Sequence, residues 1–371
     1  MTRLRMGMIG GGPGAFIGPI HRIAAELDRE IELVAGAFSS DADRSQLAGE
    51  RYSIDPARAY RDVEAMLNAE AVRPDGIDFV VIATPNHHHF SAAVVALEAG
   101  IAVMSDKPAT ATLDEAYKLA DVIARTGSPY ALTYTYSGYP LVREARTRIA
   151  AGTLGTIRKV IVEYSQGWLA ADTHSKQAQW RTDPSRAGLG GCIADIGVHA
   201  FHLAEFVTGL KVTKLLADLG AVVPGRLLDD DCQILLRFEN GARGALLASQ
   251  IMLGERNGLR LRIYGDKGGL DWRQENPNAL TMHHGDGRTE IIQAGDAGLS
   301  PGATLSTRTP GGHPEGYLEA FANLYRDFAA LLRGEGATLL PGIVDGLRGM
   351  ALIDIAVNAS RDGAGWVDFS V

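Results

Sequence analysis

A short apolar run at residues 4–9 leads directly into Gly10-Gly11-Gly12-Pro13-Gly14-Ala15, and this junction constrains the fold more than any other stretch of the chain. A helical pattern over residues 17–27 and a second apolar run over residues 31–37 complete a strand–turn–helix–strand unit. Its length suits dinucleotide binding. Gly10, Gly12 and Ala15 fit G-x-G-x-x-A, and Gly14 lies in the same turn. In that pattern the first glycine makes the turn, the second lets a pyrophosphate approach the backbone, and the small third residue lets the helix pack closely. Phosphate would then sit on the helix N-terminus, where N–H groups lack helical partners. Taken alone, the pattern also fits a glycine-rich turn with no nucleotide. The residues inserted before Gly18 and His21 leave open which small residue plays the third role.

The next segments of the chain favour the nucleotide. Residues 77–83 form a near-continuous apolar run, the pattern of a strand buried on both faces of a parallel sheet. Thr84-Pro85-Asn86 ends that run, and a helix is predicted over residues 90–99. A further strand at 101–104 ends at Ser105-Asp106-Lys107-Pro108, ahead of a helix at 113–125. Alternating strands and helices fold most economically as a right-handed doubly wound sheet. Ligands of such sheets bind beyond the carboxyl ends of the strands, where both Thr84-Pro85-Asn86 and Asp106-Lys107-Pro108 fall. Lys107 is either an ordinary surface lysine or a residue held for chemistry by the restricted backbone of Pro108.

Composition removes several function classes. At 371 residues the chain exceeds twice the roughly 150 of a common domain, so two domains are expected. A net charge of −8 without a long basic run argues against nucleic-acid or anionic-membrane binding. Two cysteines, Cys192 and Cys232, make neither a disulfide framework nor a zinc knuckle. No apolar run reaches the roughly 18 residues of a membrane span, and the glycine turn interrupts any signal-like core after Arg3 and Arg5. A soluble, cytoplasmic protein is the expectation. Glycine alone is unusual, at 44 of 371 residues or about 12%, against roughly 7% in ordinary proteins.

The ordered set Gly10-x-Gly12, Thr84-Pro85-Asn86 with His89, Asp106-Lys107-Pro108, and Gly191-x-x-x-Asp195-x-Gly197-x-His199 resembles the Gfo/Idh/MocA oxidoreductases, the relatives of glucose-fructose oxidoreductase and inositol dehydrogenase. The resemblance covers nearly the whole chain. One departure is Asp106, where the family usually has glutamate; the charge is kept, so the lysine's role is expected to survive. The resemblance implies an α/β architecture: an N-terminal Rossmann doubly wound parallel sheet, then an α+β domain with a large, open, mainly antiparallel sheet used for oligomer contacts. The expected boundaries are residues 1–130 for NAD(P) binding and 131–371 for substrate binding and oligomerisation. A crossover helix at 141–150 and extended segments at 157–164, 212–222, 232–238, 243–250, 259–264 and 269–272 fit such a second domain independently. Residues 285–312, rich in Gly, Thr, Ser and Pro, read as a long loop or lid.

Residues 194–207 have a helical pattern that places Asp195 and His199 on one face, with His202 three residues further on. Three readings compete: a capped helix with a packed histidine, a metal site of Asp195, His199 and His202 lacking a fourth ligand, and acid/base catalysis. Alcohol oxidation by a nicotinamide needs a base for the hydroxyl proton and a positive group beside the developing alkoxide. The resemblance places Lys107, Asp195 and His199 around the reacting carbon, with no metal. His199 is assigned as general base because neutral imidazole titrates near working pH. Asp195 would orient the substrate or the imidazole, and Lys107 would donate to the reacting oxygen; lysine as the base is the alternative.

Substrate contacts are expected from Tyr136 and Tyr139, from Trp168, Trp180 and Arg181 ahead of Gly190-Gly191, and from His313 and Tyr317, where a helix running to residue 332 opens. Thr84, Asn86, His89 and Asp106 are expected beside the cofactor. NAD is the expected cofactor, with NADP open. The second strand ends in Phe38-Ser39-Ser40-Asp41, with serine where an NAD-binding acid is usual. Ser39, Ser40 and Arg44 suit a 2′-phosphate, whereas Asp41 would repel one. The expected activity is oxidation of a sugar, sugar derivative or cyclic polyol such as an inositol, in a homo-oligomer (dimer or tetramer). The alternatives are a redox-assisted glycosidase on the same scaffold and a non-catalytic sugar or nucleotide sensor.

Overall fold

Phe79-Val80-Val81-Ile82-Ala83 is buried along its whole length, which only a strand covered on both faces achieves. In the computed structural model, which describes residues 2–171, 178, 181–336 and 339–371, this run is the middle strand of a parallel sheet. The sheet comprises β1 (Leu4–Gly10), β2 (Ile31–Ala37), β3 (Phe79–Ala83), β4 (Ala102–Ser105) and β5 (Tyr130–Leu132) in the order β2-β1-β3-β4-β5. Ala59 adds one parallel bridge to Gly36 outside β2. The order is therefore that of a dinucleotide-binding sheet whose third strand is reduced to a single bridge.

Five helices connect these strands: α1 (Ile17–Glu26), α2 (Ala42–Arg51), α3 (Val63–Ala71), α4 (His89–Glu98) and α5 (Leu113–Thr126). Their first turns differ in a way that matters for binding. Asp41, Asp62 and Thr112 cap α2, α3 and α5 by accepting from Arg44, Ala65 and Glu115 N–H groups. Neither α1 nor α4 has a side-chain cap. These two helices follow β1 and β3, the adjacent strands at which the strand order reverses.

The chain divides into two units, Met1–Tyr134 with Phe321–Leu347, and Thr135–Ala320 with Arg348–Val371. Residues 321–347 thus pack with the parallel sheet despite their distance in sequence. Phe328 of α8 (Tyr317–Leu332) meets Phe79 edge-on at 5.2 Å, and the Leu132 N–H donates to Pro341 O at 2.9 Å. Tyr325 Oη lies 2.6 Å from Nδ1 of His21 in α1. Burial pushes the Tyr325 phenol well up and the His21 imidazole down to about 4, so the phenol donates to a neutral ring.

Among the described residues the second unit is built on nine strands: β6 (Ile157–Ser165), β7 (Val212–Gly220), β8 (Asp231–Phe238), β9 (Arg243–Ser249), β10 (Gly258–Gly265), β11 (Gly268–Arg273), β12 (Ala279–His284), β13 (Thr289–Gln293) and β14 (Val367–Asp368). Their order is β13-β12-β11-β10-β6-β9-β8-β7-β14, antiparallel except where β6 runs parallel to β9. Cys232, Ile234, Leu236 and Phe238 alternate inward along β8, the period-two pattern of a half-buried strand. Helices α6 (Pro140–Ala150) and α7 (Val198–Thr208) pack beside this sheet. Arg348 of α9 (Ile343–Arg361) grips Glu205 of α7 through two parallel bonds of 2.6 and 2.5 Å. Both cysteines are buried, and burial pushes their thiols up.

Residues 285–312 are not one long loop. Residues 285–288 turn β12 into β13, and Pro301–Leu305 forms a helical turn capped by Ser300. β13 eludes sequence reading because it is an edge strand with only Ile292 buried. Among the described residues no helix is long and apolar enough to cross a membrane.

Candidate active site

In the first unit the glycine turn is built by steric necessity. Gly10 has φ +88°, and a Cβ there would stand 2.6 Å from Ala83 O on β3. A Cβ on Gly12 would meet Phe38 O at 2.5 Å, so the turn lies against the end of β2. The close helix approach falls at Gly18 rather than Ala15, because a Cβ on Gly18 would come within 2.4 Å of Gly11 Cα. Ala15 instead closes the turn by donating its N–H to Gly12 O at 3.0 Å.

At the end of β2, Asp41 accepts from the Arg44 N–H at 2.9 Å, so its carboxylate is engaged as a helix cap. Ser39 accepts from the Asp41 N–H at 3.2 Å, and Ser40 and Arg44 are exposed. Arg44 Nη2 reaches back to Pro13 O of the glycine turn at 3.5 Å. Serines and a guanidinium therefore border the turn.

His89, 1% exposed, sits between two carbonyls: Nδ1 is 2.7 Å from Pro108 O and Nε2 is 2.9 Å from Thr84 O. It clasps the end of β3 to the turn that follows β4. Asp106 Oδ1 accepts from the Lys107 N–H at 2.9 Å and from Thr133 Oγ1 at 2.8 Å, fixing the backbone that carries Lys107. The Lys107–Pro108 peptide bond is cis. Asn86 is buried, and Thr84 Oγ1 is buried with no hydrogen-bond partner among the described residues. An uncapped helix, a turn with no room for side chains and an orphaned hydroxyl at the neighbouring strand end together fit a dinucleotide.

In the second unit, Ile193–Gly197 forms a π-helical turn that runs directly into α7. The expected uniform helix therefore begins with a widened turn, a feature frequent at functional sites. Asp229 holds its entrance by accepting from the Gly191 and Ile193 N–H groups at 2.6 and 2.7 Å. Burial raises the Asp229 carboxyl to about 6 despite these two bonds, which favour the charged form.

Asp195 Oδ2 accepts from Arg181 Nε at 3.1 Å and from Gln250 Nε2 at 2.9 Å. The Arg181 guanidinium also lies 6.0 Å from the Trp168 ring centre, and Trp168 donates to Gln166 at 2.8 Å. The expected Trp168, Arg181 and Asp195 are thus adjacent, whereas Trp180 lies outside the described residues.

His199 faces the edge of Tyr136, and Tyr164 stands 6.3 Å away. Three side chains close a ring: Asn257 Nδ2 donates to Tyr136 at 3.3 Å, Tyr136 donates to Tyr164, and Tyr164 donates back to Asn257 Oδ1 at 2.7 Å. Burial pushes both phenols up, so they stay protonated. Tyr139, 1% exposed, stacks on Tyr136 and accepts from Gln274 Nε2 at 3.2 Å. His313 is exposed with Nδ1 3.2 Å from Pro310 O, and Tyr317 opens α8 and lines a cavity with Tyr139 and Asn257. Gln250, Asn257, Tyr164, Asp229 and Gln274 are the participants that sequence reasoning misses. They sit on or beside sheet strands, and nothing local marks them.

A dinucleotide turn on a parallel sheet, together with a helix presenting Asp195 and His199 above a large antiparallel sheet, defines a nicotinamide-dependent oxidoreductase. The chain belongs to the Gfo/Idh/MocA family: residues 4–134 match its oxidoreductase family with an NAD-binding Rossmann fold, and residues 142–271 match its C-terminal domain. It is similar to an inositol dehydrogenase homologue of Azotobacter vinelandii solved with NAD+, at 36% identity and TM-score 0.95 over 99% of this chain and 98% of that one. The same homologue solved with NADH and myo-inositol gives a TM-score of 0.93 at 36% identity, with the same coverage. The oxidoreductase YfiI of Bacillus subtilis is 33% identical over 99% of this chain and 97% of its own length. Levoglucosan dehydrogenase of Pseudarthrobacter phenanthrenivorans is 27% identical over 99% and 98%. The protein is an NAD-binding enzyme of this oxidoreductase family.

Proposed function

We propose that the protein oxidises a secondary hydroxyl of a sugar, a sugar derivative or an inositol-like cyclic polyol, with His199 as general base. The observation that carries this reading is the Asp195–His199 pair, held on a π-helical entrance with the carboxylate fixed by Arg181 and Gln250. The relatives named for inositol and levoglucosan support the substrate class.

NAD supplies the hydride acceptor. His199 takes the hydroxyl proton as the C–H bond gives up its hydride, leaving a carbonyl at that carbon. Lys107 donates to the reacting oxygen and offsets its developing negative charge. Asp195 holds the substrate or the imidazole in place. Thr84, Asn86, His89 and Asp106 frame the cofactor, and Trp168 and Arg181 bound the substrate. Residues 131–371 would also pair with a second copy through the open face of the large sheet, which light scattering would read as a dimer or tetramer.

A panel of sugars and inositols followed at 340 nm with NAD+ and with NADP+ tests the reading. Reduction of cofactor by at least one of them is expected, with loss of most turnover in Lys107→Met and in His199→Ala. Unchanged turnover in both variants would overturn the assignment.

A further inference from the structure

A cavity of about 670 Å3 opens in the second unit, walled by the segment leading into β10, the end of β11 and the start of α8. Asn257 belongs to this wall and also to the hydrogen-bonded ring with Tyr136 and Tyr164. Since Tyr136 stands against His199 and bonds Asn257, the Asn257 wall of the cavity is one side chain removed from the proposed base. Its volume falls within the range of pockets that bury drug-sized ligands, more than a single six-membered ring requires.

The chemistry of the wall narrows the occupant. Gln274, Asn276 and Asn278 bring side-chain amides, each able to donate and accept, to the same cavity. Hydroxyl groups also donate and accept, so a polyhydroxylated ring matches such a wall. Gln274 gives its Nε2 to Tyr139, which fixes its place in the wall. Arg256 shares the wall with Glu275 and Glu315, so a phosphate or carboxylate is not selected.

We propose that this cavity is a subsite for a second, neutral, hydroxyl-rich ring, and that the preferred substrate is a glycoside whose oxidised ring carries another sugar unit. The inference rests on the reading that the protein oxidises a sugar or inositol ring.

The test compares single rings with the same rings carrying a second: glucose with cellobiose and gentiobiose, and myo-inositol with galactinol. Asn276→Trp fills the cavity from an exposed position, and Asn276→Leu removes one of its wall amides at nearly constant size. At least one two-ring substrate should exceed its single-ring counterpart about tenfold in kcat/KM. Each variant should erase most of that advantage while single-ring kcat/KM stays within about twofold. A ratio near one in the natural protein, or a ratio that survives both variants, would overturn the subsite.

Calorimetric titration of cellobiose, gentiobiose and galactinol into the NADH-loaded enzyme separates this failure from failure of the parent reading. Two-ring binding that is lost in Asn276→Trp, without turnover of any sugar, would keep the subsite and reject the dehydrogenase reading. Absence of both binding and turnover would reject the subsite.

Discussion

The ring of Tyr136 stands edge-on to that of His199, with centroids 4.8 Å apart and planes at 83°. This contact joins the helix that carries the proposed base to a closed hydrogen-bonded ring of Tyr136, Tyr164 and Asn257. A T-shaped aromatic pair fixes the imidazole plane without using its nitrogens. The hydroxyl that completes the ring fixes the tyrosine in turn.

Tyr136→Phe separates these two functions, because it keeps the aromatic edge and removes the hydroxyl. The Asn257 amide and the Tyr164 phenol then each lose a partner, at a cost of about 1–3 kcal/mol in stability. The expected outcome is a lower Tm, kcat reduced about tenfold and KM nearly unchanged. The alkaline limb of the pH–rate profile should stay in place, because burial already keeps both phenols protonated at high pH. Steady-state kinetics from pH 6 to 10, with a thermal melt, would read these outcomes.

Asp195 and Gln250 give a second pair of outcomes. Asp195→Asn retains shape but removes the charge that Arg181 and Gln250 address. Turnover should fall by about two to three orders of magnitude, because the proton transfer to His199 then lacks the charge that orients the substrate or the imidazole. Gln250→Leu leaves the carboxylate charged and still bonded to Arg181, so it should lose only about tenfold. Equal losses in the two variants would show that the charge itself does not matter.

Cofactor choice is testable at Arg44. Its guanidinium borders the glycine turn, while Asp41 is occupied in capping α2. Arg44→Ala should therefore lower kcat/KM for NADP+ at least fivefold more than for NAD+, since only the former brings a 2′-phosphate to be met by charge. Parallel losses with both cofactors would mean that Arg44 supports the turn rather than the phosphate.

The parts of the site that can be read in the sequence are contiguous in the chain. The glycine turn, Asp106-Lys107-Pro108 and the Asp195–His199 spacing each carry their geometry within a few residues. Gln250 reaches Asp195 across 55 residues and Asn257 reaches Tyr136 across 121, through strand pairings whose register is decided by burial elsewhere in the sheet. The third role in the turn escapes Ala15 for a local reason that the motif does not encode. Pro13 to Phe16 delay the start of the helix, so its close contact with Gly11 falls at Gly18. The alternation of strand and helix before residue 130 points to the parallel sheet, but nothing local shows that residues 321–347 return to it.

Asp229, at the entrance to the helix that carries His199, links stability to pH. Burial raises its carboxyl to about 6, against an ordinary value of 3.8. A raised carboxyl favours the folded state most when protonated, so its contribution is fully present below about 4 and is lost as pH rises through about 6. Holding the carboxyl at about 6 rather than 3.8 corresponds to roughly 3 kcal/mol, as an order of magnitude. Asp229→Asn removes the titration and also gives up one of the two acceptors for Gly191 and Ile193. The variant should therefore be less stable than the natural protein at pH 4.5, with the gap narrowing towards pH 8. Thermal unfolding of both proteins across that range reads the gap, and parallel Tm curves would show that Asp229 does not titrate there.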